Sequence, residues 1–307
     1  MSAGVPRLSV VVAVEEGAAN VPAVLAQLDP ASHGDCEFLF CAAHESELVA
    51  LPRGTAHVRR MICAPGSRIP QMWRDGIVAA RADCVTLLSA QVVPARGWLN
   101  AVLAELPEGD VAGVGGYFSN APQANPLDWA IYLLRYGAFS RPQSRDTDHI
   151  AADNAVYRRA PVLACRDLMA LGFWEVEYHV RFRAQGLRLR LSDRIEGVHT
   201  NRYSSASFAA QRREHGFAFG RDRARRFGTG RLLVQLLAAP LLPALLTAKV
   251  LMRAARHGWL RHAPLAAYAW LMWFVAHWCW GEARGLCADI SRRASWLQRP
   301  RGRRPSR

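Results

Sequence analysis

Paired cysteine spacings, internal repeats and a secretion-type leader are all missing from this chain. The seven cysteines, Cys36, Cys41, Cys63, Cys84, Cys165, Cys279 and Cys287, follow no disulfide or zinc pattern, and four of them sit in or beside strand-like runs as small apolar fillers. They read as reduced thiols of a cytosolic protein. Met1 to Arg7 runs directly into a strand pattern, without the charged cap and long apolar region of a signal peptide. Acid is scarce at the far end: residues 201–307 hold 20 basic and 4 acidic side chains, against 19 and 21 in residues 1–200. The two parts carry +16 and −2, giving the net +14. The nearly neutral front argues against a nucleic-acid surface, and the rear aromatics lie inside apolar runs rather than among the arginines. A basic, apolar rear instead fits an anionic membrane face. Hydrophobic residues make up 51%, which is high for a soluble protein and compatible with part of the chain lying in lipid.

What is present is an alternation of short β-rich runs and amphipathic stretches. Leu8 to Val14 is apolar except for Ser9, and a helix follows from Asn20, a plausible N-cap, to Leu28. Glu37 to Cys41, His57 to Cys63, Cys84 to Leu88 and Val111 to Phe118 are further strand candidates, with helical patterns near 45–51, 69–82 and 95–106. Continuous apolar strands alternating with helices predict an α/β fold: an open, mostly parallel sheet with helices on both faces. Ligands of such sheets lie outside the carboxyl ends of the strands. The loops to inspect are therefore Glu15-Glu16-Gly17, Ala42-Ala43-His44, Ala64-Pro65-Gly66 and Ser89-Ala90-Gln91. Beyond residue 120 the pattern predicts a helix near 126–136, an irregular strand over 150–159, a helix from Pro161, another over 174–185, then strands over 187–191 and up to His199.

Three segments carry a resemblance: LSVVVAVEEG at 8–17, the helix start Arg74-Asp75-Gly76-Ile77 with the later Pro94 to Leu99, and FWEVEYHVRFRAQGLRLRL at 173–191. They resemble the family 2 inverting glycosyltransferases of GT-A fold over residues 8–200. In the late block Glu175 and Glu177 take the family's acidic positions, Arg181 its arginine and Gly186 its glycine. On the donor side the family's signatures are replaced. Ala13 and Glu15-Glu16-Gly17 stand after the first strand, Ala42-Ala43 replaces the aspartate pair that contacts the base, and Ser89-Ala90-Gln91 replaces the metal-binding DxD motif.

The resemblance implies a sugar donor, linked to a nucleotide or a lipid phosphate, against Ala13, Glu15, Arg74, Ser89, Gln91 and His199. It implies a lipid-linked or glycan acceptor against Asp153, Asn154 and Glu177. Glu175 is the candidate general base, placed at a helix start in an apolar setting where desolvation raises a carboxyl pKa; its plainer role is that of a first-turn acid favoured by the helix dipole. Glu177 stands one turn from Arg181, so a structural ion pair is as open as an acceptor contact. His179 shares the face of Glu175, to orient it or to pack. Asp153-Asn154 reads equally as a turn, His199 as packing, and Glu15 as a strand-end bystander. No cofactor is certain, because one amide and one hydroxyl are poor ligands for magnesium or manganese, which prefer hard oxygens. Without a metal, leaving-group charge falls to Arg68, Arg74, His199 or Arg202.

Two uncharged stretches end the chain, Leu232 to Ala248 with Pro240 and Pro243, and Ala263 to Trp280, each near the lower limit of about 20 apolar residues for a span. Arginines lie both between them and after them, so the positive-inside rule favours re-entrant or interfacial helices over a simple hairpin. The expected organisation is a transferase domain over 1–203, a basic helical connector over 204–231, a membrane-associated helical pair over 232–291 and a disordered basic tail over 292–307. The expected function is inverting glycosyl transfer at the cytoplasmic face of the cell membrane, with anionic lipids as partners and no nucleic acid. The competing reading is a catalytically silent scaffold in a cell-envelope polysaccharide assembly.

Overall fold

The computed structural model describes residues 4–54 and 57–297. The first strand, β1 (Leu8–Val14), is buried along its whole length, and so is β2 (Cys36–Ala42). They lie parallel, with β3 (Val58–Ile62) on the outer side of β2 and β4 (Cys84–Ser89) on the other side of β1. Near-continuous apolar character, broken here by Ser9 and Glu37, is what a strand covered on both faces requires. One cover is α2 (Ile69–Ala79), whose Ile69, Met72, Trp73, Gly76 and Ile77 recur at helical spacing and are buried. Gly76 lets this helix approach closely, since a Cβ there would collide with Val11. Val11, Leu39 and Val85 join α2 in the core, so their alternating neighbours face the other side. On that side lie α1 (Val21–Leu28) and, after the short β5 (Val92–Pro94), α3 (Trp98–Ala104).

Past this point the sheet turns mixed. β6 (Val111–Asn120) is followed by α4 (Pro126–Arg135), β7 (Arg145–Thr147) and β8 (Ala155–Arg158). Two short helices, α5 (Arg159–Ala164) and α6 (Arg166–Met169), lead to α7 (Glu175–Ala184) and β9 (Arg188–His199). The order is β3-β2-β1-β4-β8-β6-β9-β5, with β7 also on β9. β8 runs antiparallel to both β4 and β6, and β9 runs parallel to β6. The two strands expected over 187–199 are one continuous 12-residue strand. The helix expected over 45–51 is a single 3-10 turn, Glu45–Leu48.

The remainder is helical: α8 (Ser205–Arg226), α9 (Thr229–Ala238), α10 (Leu242–Arg256) and α11 (Leu265–Leu297). The chain forms two compact units, one ending at Ala124 and resuming over Arg135–Arg202, the other holding Asn125–Leu134 and the described residues from Tyr203. α8, within the stretch expected as a basic helical connector, belongs to the second unit. α8 packs along α11 through two facing pairs of glycines, Gly216 and Gly220 against Gly281 and Gly285, where a Cβ on either side would strike the partner's backbone. Buried Glu282 of α11 meets Arg223 of α8 at 2.6 Å across this contact. In the same unit Trp129 and Tyr132 of α4 pack on Trp259. One helical stretch among the described residues, Gly230–Arg256, is long and apolar enough to cross a membrane, and 6% of its apolar 18-residue window is buried. The second apolar run instead lies in α11, which continues to Leu297; the rest of the expected tail, 298–307, lies outside the described residues.

Candidate functional site

The carboxyl ends of β1 and β4 lie side by side, Ala13 beside Ser89. Ala13 is fully buried and its carbonyl accepts the Ala90 amide at 2.9 Å, so it offers a donor nothing to bind. Ser89 is fully buried as well. Its amide and hydroxyl both donate to Asp153, at 2.6 and 2.7 Å, and the Tyr136 hydroxyl donates to the same carboxylate at 2.6 Å. Arg135 adds a cation 3.5 Å from it. An acid supplied by the turn before β8 thus occupies the end of β4, where the sequence itself carries none.

A second knot closes the donor-side loop. The Glu15 carboxylate accepts Arg68 at 2.7 Å and the Ile69 amide at 3.2 Å, capping the start of α2. Gln91 donates to the Glu15 carbonyl at 3.1 Å and accepts the Arg202 amide at 2.8 Å. Asn20, expected as a helix cap, makes no capping bond. Its amide nitrogen donates to the carbonyls of Ala90 and Thr200, and its oxygen accepts the Arg202 guanidinium at 2.7 Å. Arg74 pairs with its neighbour Asp75 at 2.7 Å. Arg68, Arg74 and Arg202, expected to meet leaving-group charge, therefore each already hold an acid or an amide.

Asn154 is a structural residue. It is fully buried in the left-handed region at φ 89°, receives the Trp98 indole at 2.6 Å, and donates to the carbonyls of Tyr117 and Ile195. His199 is also fully buried, with Nδ1 3.1 Å from the Asn120 oxygen and its ring 5.4 Å from that of Tyr136. Burial, and then the charge of Arg135, push its pKa down to about 3, so it is neutral and adds no charge for a phosphate.

Glu175 begins α7 and is half-buried, and Arg181 on the same helix holds Asp167 at 2.8 Å, with the charge of Glu177 adding a weaker effect. The surroundings of the Glu175 carboxyl raise its pKa, chiefly through burial. The charge of Asp153 adds to the rise, while a local backbone hydrogen bond and Arg135 oppose it. Below it Tyr157 meets His179 at 3.1 Å; both are fully buried, and burial first, then His149 and Arg183, push His179 down to about 3. Tyr157 is raised by burial and by the charge of Glu175. The charge of Arg135, which lies 3.5 Å from Asp153, thus also acts on Glu175 and on His199. Sequence reasoning missed it, because an arginine at the end of an amphipathic helix reads as a solvated helix-end cation.

The donor set does not fit a divalent cation. Among the described residues no three His, Cys, Asp or Glu side chains are placed to hold one, and the carboxylate at the end of β4 already accepts several strong hydrogen bonds. No family model matches the chain, and no curated protein does. Among solved structures, a match is the crystal structure of GalNAc-T7 with UDP, GalNAc and Mn2+, at 14% identity and a TM-score of 0.48. The alignment covers 68% of this chain and 47% of that one, so this chain spans less than half of that protein's length. A likeness of this level supports no transfer of substrate or mechanism.

Proposed function

We propose that the chain is a membrane-attached glycosyltransferase of GT-A type, moving a sugar from a nucleotide- or lipid-phosphate-linked donor to the hydroxyl of a lipid-linked or glycan acceptor. The observation that carries this reading is the Glu175 carboxyl, raised in pKa mainly by burial and sharing Arg135 with Asp153 beside the end of β4. A raised carboxyl pKa suits a general base working near neutral pH. Glu175 takes the proton of the acceptor hydroxyl as its oxygen attacks the anomeric carbon. The bond to the leaving phosphate breaks on the opposite face, and the configuration inverts. Arg135 supplies positive charge to the same region, and no step passes through a metal. The apolar stretch Gly230–Arg256 supports attachment to a membrane, and the arginine-rich rear of the chain favours its cytoplasmic side.

A specific observation favours a second reading, a catalytically silent scaffold. Ser89, Gln91 and Asn154 spend their polar atoms on bonds within the protein, so the donor side offers few open groups. Titration of the full chain with nucleotide sugars and with lipid-phosphate sugars, with and without magnesium or manganese, separates the two. The transferase reading expects turnover that is indifferent to metal and falls about 10²–10⁴-fold in Glu175→Gln, the range of general-base catalysis. Absence of binding to either donor class leaves the scaffold.

A further inference from the structure

We infer that the helical unit carries a binding site for the headgroup of an anionic phospholipid, in a hollow of about 260 Å³ between α8, α10 and α11. Val250, Phe274 and Trp278 supply apolar wall, and Arg212, Lys249 and Arg253 supply charge; no acid lines the hollow. Lys249 and Arg253 stand one turn apart on the same face of α10, where like charges repel in the absence of an anion. Neither makes an ion pair among the described residues, and α10 holds no acid of its own. The Arg212 guanidinium lies 4.8 Å over the Phe208 ring, which packs edge-on to Phe274 at 4.7 Å and so gives the hollow a rigid aromatic floor.

The composition of the wall identifies the ligand. A free inorganic phosphate is strongly hydrated and gains nothing from Phe274 and Trp278. A phosphodiester bearing acyl chains satisfies the cations with its headgroup and lays its proximal chain on the apolar wall. On the same two helices Leu245 and Met252 of α10 and Met272 and Trp273 of α11 are exposed apolar side chains. The hollow also lies in the basic last part of the Gly230–Arg256 stretch, where a span would reach headgroup depth. Lys249 is the only lysine in the 307 residues. Among 38 arginines, this one point charge with rotatable donors faces the hollow. The inference rests on the membrane attachment proposed above and is independent of the transfer chemistry.

The single lysine makes the test direct. The full chain is acetylated with an amine-specific reagent at physiological salt, and modification of Lys249 is read by mass spectrometry. The incubations contain phosphatidylcholine vesicles with or without phosphatidylglycerol, or inorganic phosphate. Protection is expected with the anionic vesicles only. Lys249→Ala with Arg253→Ala is expected to weaken binding to those vesicles about 30-fold, at about 1 kcal/mol for each cation. Arg256→Ala with Arg261→Ala, an equal loss of charge from residues that do not line the hollow, is expected to cost clearly less than the first pair. Val250→Trp keeps every charge and fills the hollow, and is expected to weaken binding as much as the first pair does. Circular dichroism checks that each variant is folded. Equal protection by inorganic phosphate, equal losses from both charge pairs, unaltered binding by Val250→Trp, or no binding by the parent chain would each overturn the inference. Glu175→Gln retains full protection, so failure here and failure of the transferase reading are told apart.

Discussion

Glu175 and Asp153 are two carboxyls that feel one another's charge and have opposite fates. Asp153 is held by two hydroxyls, an amide and an arginine, so its charge is satisfied inside the protein. Glu175 lacks such a set, and burial raises its pKa above that of an unfolded chain. A carboxyl with a raised folded pKa adds stability below its unfolded value, and that stability is lost as pH rises through the folded value. At neutral pH an ionised Glu175 therefore costs the fold something. Glu175→Gln is expected to raise the melting temperature at pH 7 and to leave it unchanged near pH 4, while lowering turnover about 10²–10⁴-fold. Thermal melts across that range check it, and a variant destabilised at pH 7 would contradict the assignment. Such an exchange of stability for activity is the usual mark of a working site.

At the scale of elements, two junctions hold the architecture. The first is Glu37 in β2, buried beside Ser9 of β1 and Arg81, two residues past the end of α2. It accepts Ser9 at 2.7 Å and both the amide and the guanidinium of Arg81, at 2.6 and 2.9 Å. Burial alone would raise its pKa, but the bonds from Ser9 and Arg81 outweigh burial and the net shift is downward. A lowered folded pKa gives stability that is present above about pH 4.5 and is lost as pH falls through the folded value. Glu37→Gln is expected to destabilise the protein at pH 7 by about 1–3 kcal/mol, the range for hydrogen bonds to a charged group, and to flatten the acid limb of the stability profile. Urea midpoints between pH 3 and 7 read both effects. The second junction is the glycine-lined contact of α8 and α11, where backbones touch. Gly281→Leu forces the helices apart and is expected to cost about 1–3 kcal/mol, as overpacking does, seen as a lowered midpoint of helix unfolding.

At the scale of the molecule, the chain combines an α/β unit with a helical one, and the second exposes Val234, Leu237, Leu241, Leu245 and Met252 along Gly230–Arg256. A contiguous apolar surface of this kind belongs against lipid or a partner and aggregates in plain buffer. Leu237→Gln with Leu241→Gln is expected to reduce aggregation in detergent-free buffer, measured by light scattering, without lowering the melting temperature of the α/β unit. Aggregation equal to that of the parent chain would place the sticky surface elsewhere.

The sequence alone determined the parts whose form is local. β1 to β4 and α2 could be read from Leu8–Val14, Glu37–Cys41 and the spacing of Ile69, Met72 and Trp73, because the backbone repeats every 2 or 3.6 residues and burial follows that period. The acidic start of α7 was legible for the same reason. Only the tertiary structure decided what those side chains do. Asp153 reaches Ser89 across 64 positions, Asn20 reaches Arg202 across 182, Arg135 joins three expected site residues, and a supposed connector pairs with α11 through glycines. Hydrogen-bond partners and close helix approaches depend on which distant surfaces meet, and a local period carries no record of that meeting.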